Sequence, residues 1–269
     1  MSKRTANRAW LTGLVSVACL TAITGALSLG YAFDFSIGQF SSRSPLWILT
    51  LILGGLAVLG AICYPIFAIR RENYSVEYKI SPFMDFAALF AASMLILDAI
   101  STFLRNRGSG EILPQAKAAL AVLASLFFIV LFIHRALGTS TLTALAAIST
   151  LWATFEAFYA YFDPAFPMVS PFRTYPQLPC VALALFLFCE TKLSAKSGKP
   201  LMLILAAALS GVFSVSVGGA TVIAYLFSLN RVGIPVTDGL WMIALGIYAF
   251  ARVGQSVFSK KNKQRKKLT

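Results

Sequence analysis

Histidine occurs once in this 269-residue chain, as His134, and acidic residues only ten times. A serine–histidine or cysteine–histidine relay would have to use His134, which stands beside Arg135 at the end of an apolar run and reads as an interface residue. Cysteine is sparse too: Cys19, Cys63, Cys180 and Cys189 lie in or at the edge of apolar runs, with no CxxC or Cys/His spacing. Cys180 and Cys189 are nine residues apart, which at about 100° per residue puts them on opposite faces of a helix. A disulfide framework is therefore excluded, and a metal site with it. The chain also lacks HExxH, a GxSxG elbow and a P-loop, so neither metal nor cofactor is expected. Long polar segments are missing as well. No gap between apolar runs reaches about 20 residues, too few for a separate soluble domain.

What is present is hydrocarbon. The sequence is 58% hydrophobic and 12% charged, with mean hydropathy +0.77. Soluble domains run at about 45–50% apolar and about 25% charged, so this is a membrane protein. A spanning helix needs about 20 apolar residues. Eight runs qualify: 10–33, 46–69, 82–104, 114–133, 142–162, 178–193, 201–229 and 239–258. The expected fold is an all-α polytopic bundle of about eight transmembrane helices. It forms one transmembrane domain, 1–258, followed by a basic tail, 259–269.

The net charge of +13 gathers at helix ends and in the tail rather than on a soluble recognition module, which excludes nucleic acid and reads as topology. With the N-terminus inside, the inner segments take most of the basic residues, among them Lys3, Arg4 and Arg8, Lys192, Lys196 and Lys199, and Arg252 with the tail. The outer segments take Arg43, Arg105, Arg107, Lys117, Arg173 and Arg231. Both termini are then cytoplasmic. The first run has a basic start and a small-x-small site at Gly30-Tyr31-Ala32, but its apolar stretch exceeds the about 7–15 residues of a signal sequence, so it is expected to remain as a span. The tail is expected on anionic lipid head groups at about 1 kcal/mol per charge. Its final Lys266-Lys267-Leu268-Thr269 resembles a dilysine retrieval signal, though chance accounts for so short a pattern. The cell membrane is the expected location, or the endoplasmic reticulum membrane in a eukaryote. Asn73-Tyr74-Ser75 matches a glycosylation acceptor but falls on an expected cytoplasmic loop.

Small residues repeat every four positions at Ala18, Ala22, Ala26 and Gly30, and again at Ser210, Ser214 and Gly218, a pattern for close helix packing inside the bundle or in an oligomer. Residues 163–177 hold four prolines among aromatics and are expected to be an outer loop in the head-group zone.

Two acids stand apart from the rest. Asp85 after Ser81-Pro82, and Asp238 beside Thr237, open helices and suit the helix dipole. Glu190 is assigned to a cytoplasmic helix end with Lys192. Asp98 and Glu156 lie instead within spans, where a lone carboxylate costs about 2.5–3.5 kcal/mol on insertion scales. Each is about six residues from the outer end of its helix, so the two share a depth. Trp152 and Tyr159 fall on the same face as Glu156, which points to an aromatic-walled site for a small apolar or cationic ligand. Arg105 is the candidate partner for Asp98. No lysine is expected inside the membrane, which excludes a Schiff base to a chromophore. The reading is a small-solute or ion permease with an outer-half acidic site at Asp98, Glu156, Trp152 and Tyr159. The alternatives are a membrane-embedded enzyme using one acid as general acid on a lipid-soluble substrate, of isomerase or cyclase type, or a structural subunit; whether the chain is an enzyme stays open.

Overall fold

The computed structural model describes residues 3–34, 39–69, 81–107, 111–133, 139–162, 171–229 and 235–258. His134, Arg135, Asn73 and the tail 259–269 lie outside them. Among the described residues, eight helices are long and apolar enough to span a membrane. They are α1 (Lys3–Tyr31), α2 (Pro45–Tyr64, continued by a π-helical turn Pro65–Ile69), α3 (Pro82–Arg105), α4 (Ile112–Ile133), α5 (Thr139–Phe162), α6 (Pro171–Ser194), α7 (Pro200–Leu226) and α8 (Val236–Phe258). The all-α polytopic bundle expected from the hydrophobic runs is what forms. A small two-stranded ribbon, β1 (Phe33–Asp34) with β2 (Gln39–Phe40), follows α1.

Proline starts four of these helices, α6 among them. Pro45, Pro82 and Pro200 occupy the first turns of α2, α3 and α7, where the missing N–H has no intrahelical partner to lose. Ser81 caps α3, accepting from the Met84 N–H at 3.2 Å, and Asp85 sits in that first turn. Proline was expected to keep 171–177 out of a helix. The finding is the opposite: α6 begins at Pro171 and contains Pro176 and Pro179. A proline costs about 3 kcal/mol in an exposed helix, but within a membrane domain neighbouring helices re-satisfy the freed carbonyls. Residues 163–170 lie outside the described set.

The helices form a ring. Contacts run from α3 to α4, α4 to α5, α5 to α6, α6 to α7, α7 to α8 and α8 back to α3, while α1 and α2 pack outside against α7. The two small-residue stripes make these contacts inside the chain. Ala18, Ala22 and Ala26 are buried, and a Cβ on Gly219 would stand 2.7 Å from the Ala22 Cβ, so α1 and α7 touch almost backbone to backbone. On the next face of α7, a Cβ on Gly218 would lie 2.7 Å from the Gly239 carbonyl oxygen of α8. Outward positions are apolar: Leu51, Leu56 and Leu59 of α2 are each more than half exposed, a surface that only lipid covers without penalty.

The first and last helices end together. The Arg8 guanidinium lies over the Phe258 ring at 6.0 Å. Tyr64 donates to Asn7 Oδ1 at 2.6 Å and Trp10 Nε1 to the Gly60 carbonyl at 2.9 Å, clamping α2 to α1 at this same end.

These contacts predict a contrast between two glycines. Gly218→Val forces a branched side chain into backbone and is expected to cost about 1–3 kcal/mol, whereas Gly13→Ala, with nothing within 4 Å of the added Cβ, is expected to be neutral or stabilising by up to about 1 kcal/mol. Thermal unfolding of the detergent-solubilised protein measures both.

Candidate functional site

Each ring helix turns one stripe inward, and on all of them but α7, which has no charged residue, that stripe carries a charge. On α8 the stripe is Asp238, Trp241, Leu245, Tyr248 and Arg252, at alternating spacings of three and four. On α6 it includes Cys180, Leu183, Leu187 and Glu190. On α4 it is Lys117, Ala121, Ala124 and Phe128, and apart from Asp238 every one of these side chains is buried. Alanine lines the facing positions of α3 and α4, including Ala88, Ala91, Ala121 and Ala124, and so lets the helix axes approach closely.

That approach brings three carboxylates around one ammonium. Lys117 Nζ lies 3.3 Å from Glu156 Oε2, 3.7 Å from Asp238 Oδ1 and 3.8 Å from Asp98 Oδ2. Its nitrogen also sits over the Tyr159 ring, 5.2 Å from the centroid, a cation–π geometry. Four helices, α3, α4, α5 and α8, thus converge on one nitrogen. Asp98 is fully buried, Glu156 and Lys117 nearly so, and Asp238 is partly exposed with a side chain 23% accessible. At 1.5 Å per residue the four lie roughly 3 to 10 Å inside their helix ends, at the end of the ring away from the chain termini.

Asp98 and Glu156 therefore do meet, but through a partner the sequence reading had placed elsewhere. Lys117 was assigned to an outer segment and no lysine to the membrane interior; instead it is buried within α4. It begins five residues into that helix, and α3 and α5 close over it from either side. Asp238 was read as a helix opener alone. It does stand in the first turn of α8, and its carboxylate also faces Lys117. Arg105 does not take the role of partner to Asp98: its Nε donates to the Ser101 carbonyl at 3.4 Å and its Nη2 to Thr237 Oγ1 at 3.5 Å. Trp152 is not a wall of an open pocket; it is fully buried, edge-on to Trp241 with ring centroids 5.2 Å apart. Tyr159 is half-buried, with its face under the ammonium.

The opposite end of the ring holds a second buried pair. Arg252 Nε donates to Glu190 Oε1 at 2.7 Å, both side chains fully buried, and Arg252 Nη1 donates to Gln255 Oε1 at 2.6 Å. Glu190 had been read as an interface acid beside Lys192, and Arg252 as an interface base. Lys192 lies instead over the Phe188 ring at 4.8 Å, and the stripes of α6 and α8 carry Glu190 and Arg252 inward. Moving Lys117 and Arg252 off the surface takes one charge from each side of the topology count and leaves the bias. On α8 the two clusters are fourteen residues, or about 21 Å, apart. Aromatic side chains fill the space between: Tyr248 packs edge-on against Phe128 at 4.9 Å and near Phe186 at 5.9 Å.

The first cluster is an expensive arrangement. Attraction across about 4 Å is worth roughly 4 kcal/mol at an effective dielectric of 20. Three such attractions face desolvation of several kcal/mol for each ion and three mutual repulsions among the acids. Among the described residues, Asp98 Oδ1 and Glu156 Oε1 make no hydrogen bond, and Asp98 Oδ2 and Asp238 Oδ1 face Lys117 Nζ beyond hydrogen-bond distance, at 3.8 and 3.7 Å. An apolar core would fill the same volume more cheaply. The four cysteines are free, and Cys180 and Cys189 are not paired. Among the described residues no set of histidine, cysteine and acidic side chains is arranged to hold a metal ion.

Comparison of the chain with protein-family models, with curated proteins and with solved structures gave no match.

The buried pair at the far end makes a measurable prediction. Arg252→Met leaves Glu190 without its guanidinium and is expected to destabilise by about 3–5 kcal/mol, while Arg252→Met with Glu190→Leu recovers most of that loss. A double-mutant cycle on thermal unfolding in detergent reads the difference.

Proposed function

We propose that the chain is a small-solute or ion permease of the cell membrane, with its binding and coupling site at Lys117, Asp98, Glu156 and Asp238. The observation that carries this reading is three carboxylates gathered on one ammonium inside a ring of membrane-spanning helices. Ionisable groups placed inside a membrane domain at such expense mark ion and substrate pathways. Three acids against one base leave a formal excess of negative charge, which a proton or a cationic solute neutralises. Coupling follows from that exchange, because loading the site removes the charge that holds α3, α5 and α8 on Lys117. A ligand shifts a conformational equilibrium only by its differential affinity for the two states, and a change in this network supplies one. The positive-inside distribution orients the cluster toward the outer face. Lys117 is an intramembrane amine that the sequence reading did not expect, and its role here is that of counter-ion to the three carboxylates.

Liposomes reconstituted with the purified protein, carrying an internal pH indicator and challenged with a panel of small solutes, test the proposal. Solute-driven proton or charge movement is expected in the wild type and is expected to fall at least about tenfold in Glu156→Gln and in Asp98→Asn. Wild-type rates in both variants would overturn the assignment. Turnover of an apolar substrate without any flux would favour the enzyme reading instead.

A further inference from the structure

The charged cluster contains more than its lysine uses. An ammonium has three N–H donors, and Lys117 Nζ lies 3.3–3.8 Å from one oxygen of each acid. Asp98 is fully buried, and its Oδ2 faces that nitrogen only at ion-pair distance, as does Asp238 Oδ1; Asp98 Oδ1 and Glu156 Oε1 make neither an ion pair with Lys117 nor a hydrogen bond among the described residues. A buried acceptor left unpaired costs about 1–3 kcal/mol, and more when it is charged. These carboxylates belong to α3, α5 and α8 and converge on the point that Lys117 Nζ occupies.

The geometry also says what would satisfy them. Bare divalent ions need several oxygens at about 2.0–2.6 Å, and no described group of acids is close enough to hold one. A ligand with N–H donors reaches acceptors spread over a wider sphere, at about 2.7–2.9 Å from nitrogen to oxygen. The Tyr159 face under Lys117 is a further element of ammonium recognition, since an aromatic ring attracts such a cation through its quadrupole. The site already displays this chemistry with its own side chain. We propose that it binds a small protonated primary amine, whose ammonium bonds Asp98, Glu156 and Asp238 beside or in place of Lys117. This assignment names the solute class of the permease reading and rests on the same site.

Lys117 is then an internal competitor, and removing it should tighten the site. An intramolecular occupant lowers apparent affinity by the fraction of time it blocks the ligand. The test is equilibrium binding of radiolabelled methylammonium and of n-butylammonium to the full-length protein in detergent. Sodium and tetramethylammonium chloride at equal ionic strength serve as controls, tetramethylammonium because it has charge but no N–H. Saturable amine binding is expected in the wild type, about tenfold or more tighter in Lys117→Met, and about tenfold or more weaker in Asp98→Asn and Glu156→Gln. Lys117→Gln repeats the measurement with a polar side chain should the methionine variant fold poorly. Amine binding that is unchanged or weaker in both lysine variants, or that tetramethylammonium matches, overturns the proposal. Flux in liposomes is read separately. Amine binding without flux upholds the ligand assignment and removes the permease reading, whereas flux of another solute that amines do not inhibit does the reverse.

Discussion

A single ammonium nitrogen sets the arrangement of one half of this bundle. Lys117 draws carboxylates from α3, α5 and α8 to within 3.8 Å, and these elements share no local sequence. Hydrophobic burial does not choose among helix neighbours in a membrane, because lipid is as apolar as the side chains it would replace. A buried charge does choose, since leaving it unpaired costs several kcal/mol. Lys117 thus specifies which helices meet, in which register and at what depth.

The charge is affordable there because the backbones come close. Alanine on the inner faces of α3 and α4, and glycine where α7 meets α8, bring the helix axes near enough for short acidic side chains to reach a common point. The same closeness packs Trp152, Trp241, Phe128 and Tyr248 into the centre of the ring. The result is a layered interior: a charged network at one end, aromatic packing in the middle, and the Glu190–Arg252 pair at the other end. The two ends differ in charge. The Glu190–Arg252 pair balances its charge, whereas the Lys117 cluster does not.

Much of the architecture was legible in order. Hydrophobic runs gave eight spans because a membrane helix must satisfy its own backbone and cover it with apolar side chains, and both requirements act locally. The four-residue stripes of Ala18, Ala22 and Ala26, and of Ser210, Ser214 and Gly218, were visible for the same reason, though not that they face α7 and α8 of the same chain. Asp98 and Glu156 stood out because acids are rare in such runs. Lys117, Glu190, Asp238 and Arg252 did not, because each lies near a helix end where snorkelling or the helix dipole gives an ordinary explanation. A usable signal existed on α8, where Asp238, Trp241, Leu245, Tyr248 and Arg252 keep one face at alternating three and four.

By itself, then, the sequence determined the membrane class, the number of spans, their approximate limits and the presence of two acids inside them. These follow from hydropathy and periodicity, which are properties of neighbours along the chain. Only the tertiary structure decided that Asp98 and Glu156 share a lysine, that Asp238 joins them, and that Arg105 does not. Whether a charge near a helix end faces lipid head groups or the bundle interior depends on how its helix is rotated and what closes over it, and that is fixed by contacts between segments far apart in the chain.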